Sequence, residues 1–312
     1  MNELNFQKLL DLETTPEALE ETSRYIAGNL KPFLQTLEPV LICFPDEGPT
    51  SLGNVFKRAV EICGALAIVW GPDYRWEELL RLAFDSHANT IIAHPIIALG
   101  LVKLARATST PLYAYDMVLS GGSYSRWMIE AIKSGLDCNV WGCYAVRGKP
   151  VITGFTCERE AGIHMRDDRF QLKVLDKEGN LMQGSQRGKL LFTSVIDPDI
   201  IYDPEETAIV HYQPCSCGRD ATRLVSTFYT GAEPNDLLLR ERFLNWASVL
   251  DYHATNTESG LKLELVVFQD EALPEFPTCA HLAVRYWNPE KDVPYYIQDH
   301  YPKLAKSGME NY

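Results

Sequence analysis

Six residues separate Cys157 from His164, and Cys215-Ser216-Cys217-Gly218-Arg219 follows roughly fifty residues later. Three thiolates and one imidazole fill the tetrahedron of a zinc ion and leave no position for water. Their chemistry is therefore structural: an ion there would staple two distant segments. Gly218, after the second sulfur of the pair, lets the chain turn without a Cβ clash. The competing reading is a set of ordinary buried thiols, the common fate of free cysteine. His211, four residues before Cys215, is a second imidazole that could replace His164.

Composition narrows the setting. The chain has 312 residues, enough for one large domain or one large and one small domain. A hydrophobic fraction of 46% supports a sizeable core. The net charge of −13 argues against nucleic acid and against an anionic membrane surface, both of which call for lysine and arginine. No apolar run is long enough to span a bilayer. The N-terminus lacks the basic stretch and apolar run of a signal peptide. Eight cysteines in such a chain suggest reduced thiols or metal ligands, and a cytoplasmic location is expected.

The elements that must position the cluster alternate in type. Thr15 caps a helix that begins at Pro16 and runs to about Asn29. Short apolar runs predict buried strands at Pro39 to Phe44, Leu66 to Trp70, Thr90 to Ala93 and Tyr113 to Leu119, with a fifth starting at Asn139. Helices are expected between them, at Asn54 to Gly64, Trp76 to Ser86, Pro95 to Ala107 and Ser125 to Lys133. That alternation signals an α/β lobe over 1–150, a parallel sheet with helices on both faces. From Val151 the pattern becomes antiparallel: Phe170 to Asp176, Gly188 to Val195 and Thr207 to Tyr212 form a β subdomain over 151–229 that carries the metal set. A turn-rich hinge at Thr230 to Asp236 opens a small C-terminal α+β unit over 230–312. In it a helix is expected over Leu237 to Leu250, with strands near Leu261 to Gln269 and Ala280 to Tyr286. The aromatic tail from Asn288 is left unassigned, as packing against the core or as a partner surface.

Phe155-Thr156-Cys157, Gly162-Ile163-His164, Gly188-Lys189-Leu190-Leu191-Phe192-Thr193-Ser194 and Cys215-Ser216-Cys217-Gly218-Arg219 resemble, in order and spacing, motifs of the phenylacetate-CoA ligase and coenzyme F390 synthetase branch of the adenylate-forming ligases. The resemblance spans about Pro39 to Tyr286. It implies a structural zinc at Cys157, His164, Cys215 and Cys217. It also implies a ligand site at the strand ends. The adenine loop of those ligases falls on Ser120-Gly121-Gly122-Ser123, beside His94. Their Tyr-Gly-x-Thr-Glu motif falls on Trp141-Gly142-Cys143-Tyr144-Ala145, so Trp141 is the expected ring for stacking on adenine. AMP or CoA is the implied ligand, with a small carboxylic acid.

Several parts of that machinery have no counterpart. Upstream of Val40 there is no Ser/Thr/Gly-rich phosphate loop, so the chain is expected to lack it and the strands around it. The magnesium-binding glutamate is replaced by Ala145, which cannot hold a metal ion. The ribose-binding aspartate has only Asp203, Glu205 or Glu206 in its place. Adenylation lowers its barrier through electrostatic stabilisation of the departing pyrophosphate, each contact being worth ~3 kcal/mol. The expectation is therefore a degenerate ligase that binds an acyl, aryl or adenine-containing ligand without independent ligation. Two alternatives stand beside it: a scaffold subunit, or a ligase or acyltransferase, working with a protein partner that carries the missing half. Residual chemistry would need Cys143 or Ser123 as nucleophile, with His94 as the base.

Overall fold

The structure is a computed structural model that describes residues 2–122, 124–146, 149–159, 162–182, 186–229, 244–268 and 281–304. The hinge at 230–236, Ser123 and the first half of the expected helix over 237–250 lie outside those residues. The chain opens with α1 (Asn2–Glu13) and α2 (Pro16–Leu30). Thr15 caps α2 by accepting from the Ala18 amide, and Pro16 sits in the first turn, as the capping rules predict. α1 has no counterpart among the expected helices. It is held from outside, with Leu9 buried and Phe6 stacked on Tyr202 at 5.1 Å.

The lobe follows as β1 (Pro39–Ile42), α3 (Leu52–Ile62), β2 (Leu66–Val69), α4 (Trp76–Asp85), β3 (Thr90–Ala93), α5 (Pro95–Ala107), β4 (Asp116–Ser120), α6 (Arg126–Leu136) and β5 (Asn139–Ala145). The five strands are mutually parallel, in the order β5-β4-β3-β1-β2. Apolar side chains fill β1 and β3 because both faces of the sheet are covered. α3 buries Leu52, Val55, Phe56, Ala59 and Val60, one stripe at helical spacing. Right-handed crossovers place α3 on one face and α4, α5 and α6 on the other. α5 is buried on all sides from Pro95 to Ala105, because a second layer covers its outer face.

The antiparallel strands extend the same sheet. They are β6 (Ile152–Thr156), β7 (Ile163–Met165), β8 (Phe170–Leu175), β9 (Arg187–Ser194), β10 (Ile201–Tyr202), β11 (Glu206–His211) and β12 (Arg223–Tyr229). β5 is parallel to β4 on one side and antiparallel to β6 on the other, so lobe and β subdomain share one twelve-stranded sheet. The subdomain keeps its own apolar cluster around Phe170, Phe192, Tyr202 and Val210. α2 is bound to it by Arg166, which contacts Glu21 at 3.1 Å and Thr22 at 3.1 Å.

The small unit contributes β13 (Val249–Thr257), β14 (Gly260–Val267) and β15 (His281–Tyr286), then α7 (Tyr295–His300). Val249 and Leu250, expected at the end of a helix, belong to β13 instead. Both are buried against the lobe, where β13 supplies the second layer over α5. The unassigned tail holds α7, whose Tyr295, Tyr296 and Ile297 are buried. Asp251 fixes its start by accepting from the Tyr295 amide at 2.9 Å.

Candidate functional site

The strand ends place the sulfur cluster. Cys157 follows β6 directly, and His164 lies in β7, paired with Phe155 on one side and Arg223 on the other. Cys215 and Cys217 occupy the turn between β11 and β12. That turn closes on itself: Gly218 N–H donates to the Cys215 carbonyl at 2.9 Å, and Cys215 N–H donates to Arg219 at 3.1 Å. Gly218 has φ of +87°, the left-handed region glycine enters without penalty. The four ligand atoms all lie within 4.8 Å of one another. Cys157 Sγ stands 4.0 Å from Cys215 Sγ, and Cys217 Sγ stands 3.5 Å from His164 Nε2. Ligand bonds of about 2.0–2.3 Å to zinc require separations of this size.

Charge agrees with geometry. The backbone N–H of Cys217 pulls the Cys215 thiol down to about 7, which favours the thiolate that binds metal. Burial lowers the His164 pKa, with Arg219 and Arg223 adding to the effect, so the imidazole stays neutral as a ligand must. His164 Nε2 faces the sulfurs, while Nδ1 is buried without a hydrogen-bond partner. His211 pairs with Arg223 across the β11–β12 ladder and is not one of the clustered donors. The residues present therefore fit a tetrahedral zinc.

The second place to look follows from topology. β1 connects outward to β2, whereas β3 connects the other way to β4, so the crossovers reverse between β1 and β3. In open α/β sheets ligands bind beyond the carboxyl ends of the strands at such a reversal. Here that crevice is bounded by Phe44 after β1, His94 after β3, and Gly121 and Gly122 after β4. His94 is buried and caps α5, its Nδ1 accepting from the Ile96 amide at 3.3 Å. A Cβ at Gly122 would stand 2.2 Å from His94 Nε2, so glycine is required for this approach. The Tyr296 ring lies flat on His94, centroids 4.1 Å apart and planes 19° apart. It also meets Phe44 edge-on at 6.5 Å.

The structure brings His94, Gly121 and Gly122 together, with Ser120 just before them; Ser123 lies outside the described residues, and Trp141 and Gly142 are engaged with other partners. Trp141 stacks on Phe33 at 4.9 Å and 5° and donates its indole N–H to Asp116 at 2.7 Å. Gly142 leaves room for the Tyr124 hydroxyl, which a Cβ would meet at 1.8 Å. Ser120 is buried at the end of β4, opposite Cys143. Cys143 is an unsuitable nucleophile, because burial pushes its thiol up to about 12. Ala145 is buried and pairs with Ile152, and Tyr144 beside it sits near Glu206. Sequence reasoning missed Tyr296. Its only signal was an aromatic tail with no periodicity.

No family model and no curated relative matches the chain. Solved structures do. A 2-hydroxyisobutyryl-CoA ligase in the postadenylation state, in complex with R3-HIB-AMP, matches at a TM-score of 0.63 and 12% identity, covering 93% of this chain and 72% of that one. The open conformation of 2-hydroxyisobutyryl-CoA ligase, in complex with 2-HIB-AMP and CoA, matches at 0.57 and 15% identity, covering 68% of this chain and 53% of that one. The chain thus spans about half to three quarters of the length of these enzymes. The chain shares the fold of these 2-hydroxyisobutyryl-CoA ligase structures.

Proposed function

We propose that this chain is a ligand-binding homologue of the adenylate-forming ligases, of the phenylacetate-CoA ligase type, that holds a structural zinc and does not activate acids on its own. The observation that carries the reading is the crevice at the strand reversal. A flat ring, that of Tyr296, already lies on His94 against the Gly121-Gly122 turn. A slot that accepts one planar ring suits the adenine of AMP or CoA, or an aryl group. The carboxylate that would hold magnesium is replaced by Ala145, a buried side chain without a ligand atom. Without magnesium, nothing at that position neutralises a leaving pyrophosphate. A zinc ion at Cys157, His164, Cys215 and Cys217 would have no open coordination site and would supply cohesion alone.

The test pairs binding with turnover. AMP is expected to raise the melting temperature, and Tyr296→Ala to tighten AMP by ~10-fold, because the ring competing for the slot is gone. Pyrophosphate release with ATP, magnesium and a panel of aryl and fatty acids is expected to stay at background. Robust turnover contradicts the reading. So does the absence of stabilisation by AMP, CoA and aromatic acids alike.

A further inference from the structure

A cavity of about 460 Å³ lies where α5 and α6 meet the small unit. It shares no described wall residue with the crevice: along α5 its wall begins at Leu99 and runs to Ala107, away from the end of the helix that His94 caps. The size is that of a small-molecule site. Trp127 of α6, Phe268 and Trp287 supply aromatic wall, the last two edge to face at 5.7 Å and 76°. Among the described residues, the charged ones of the wall are Lys103 and Arg106, with no Asp or Glu. In a chain of net charge −13 that is a marked local reversal.

The polar groups of the wall are short of acceptors. Lys103 Nζ donates to the Trp246 carbonyl at 2.9 Å and the Val249 carbonyl at 2.7 Å; burial lowers its pKa to about 7, and in its charged form, which a bound carboxylate favours, one N–H of three remains. Arg106 donates to the Ser134 carbonyl at 3.3 Å and keeps the rest of its fork. Ser248 is buried, and its hydroxyl has no partner among the described residues. The Trp287 indole N–H is likewise buried and unpartnered. Each unmet buried donor costs roughly 1–3 kcal/mol, a penalty that an acceptor group would remove. Asp251 acts on Lys103 from β13, but its oxygens are engaged by the amides of Tyr252 and Tyr295, both at 2.9 Å.

We propose that this cavity is a second binding site, distinct from the crevice, for a planar aromatic molecule bearing a carboxylate. The ring lies among Trp127, Phe268 and Trp287, and the carboxylate takes the donors of Lys103, Arg106, Ser248 and Trp287. Charge-assisted bonds of this kind are the strong ones, and a neutral ligand of equal shape forgoes them.

The test is calorimetry on the full chain with naphthalene-2-carboxylate, naphthalene-2-methanol and naphthalene-2-methylammonium as probes. Saturable binding of the carboxylate below ~1 mM is expected, at least ~10-fold tighter than the alcohol, with no binding of the cation. Ala131→Phe fills the cavity from the partly buried face of α6 and is expected to abolish binding while the melting temperature stays near that of the parent. Arg106→Gln and Trp287→Phe each weaken binding severalfold. Three results overturn the proposal: no saturable binding of the carboxylate, equal binding of carboxylate and alcohol, or full binding by folded Ala131→Phe.

Discussion

The lobe and the β subdomain put the same residue type to opposite use. In the lobe, Cys43 and Cys143 are buried among apolar side chains, and burial drives both thiols upward, Cys143 to about 12. In the subdomain, the turn carrying Cys215 and Cys217 aims a backbone N–H at a sulfur and pulls Cys215 down to about 7. Cys157 and Cys215 are as inaccessible as the lobe thiols. Burial therefore does not distinguish a ligand from a packing residue; local donors and convergence of sulfur atoms do.

The largest expected effect strikes one side of this comparison. Cys157→Ser or Cys215→Ser should remove the metal and cost roughly 4–5 kcal/mol, the range reserved for loss of a metal or a comparable constraint. Thermal melting with metal analysis checks it. Cys143→Ala should cost only about 1 kcal/mol and leave metal content unchanged. Equal losses from the two substitutions would erase the distinction. Gly218→Ala should cost about 1–2 kcal/mol from its left-handed backbone alone, because no atom lies within 4 Å of the added Cβ.

The last effect concerns pH and shows only in alkaline solution. Cys143 has its pKa raised from 9.0 to about 12 in the fold, so the folded state holds the proton more tightly than the unfolded chain. Its contribution to stability is complete below pH 9 and is lost as pH rises from 9 towards 12. A melting series over that window should show the loss in the parent and less of it in Cys143→Ala. A slope identical in both would place the alkaline sensitivity elsewhere.

The sequence disclosed the parts that obey local rules. The runs PVLI and TIIA are buried strands as expected, and Thr15 caps the helix it precedes. LAIV, also expected to be buried, is the edge strand of the sheet, with Leu66 exposed and the rest half-buried because no strand covers its outer side. The convergence of Cys157, His164, Cys215 and Cys217 was legible because residue type and spacing point there together. What escaped depends on contacts distant in the chain. Trp141 is engaged by Phe33 and Asp116, partners no local pattern links to it. Tyr296 reaches His94 across some two hundred residues, from a tail without periodicity. α1 forms against Tyr202 of a strand that follows it by a similar interval. The cavity over α5 needs the small unit docked before it exists.

The zinc-stapled subdomain is the claim on which the comparison rests. X-ray absorption at the zinc edge, with metal quantified on the purified chain, addresses it directly. One zinc per chain, bound by three sulfurs and one nitrogen and lost in Cys217→Ser, is the predicted result. A folded protein that holds no zinc after purification in its presence, and melts no lower after chelation, would contradict it.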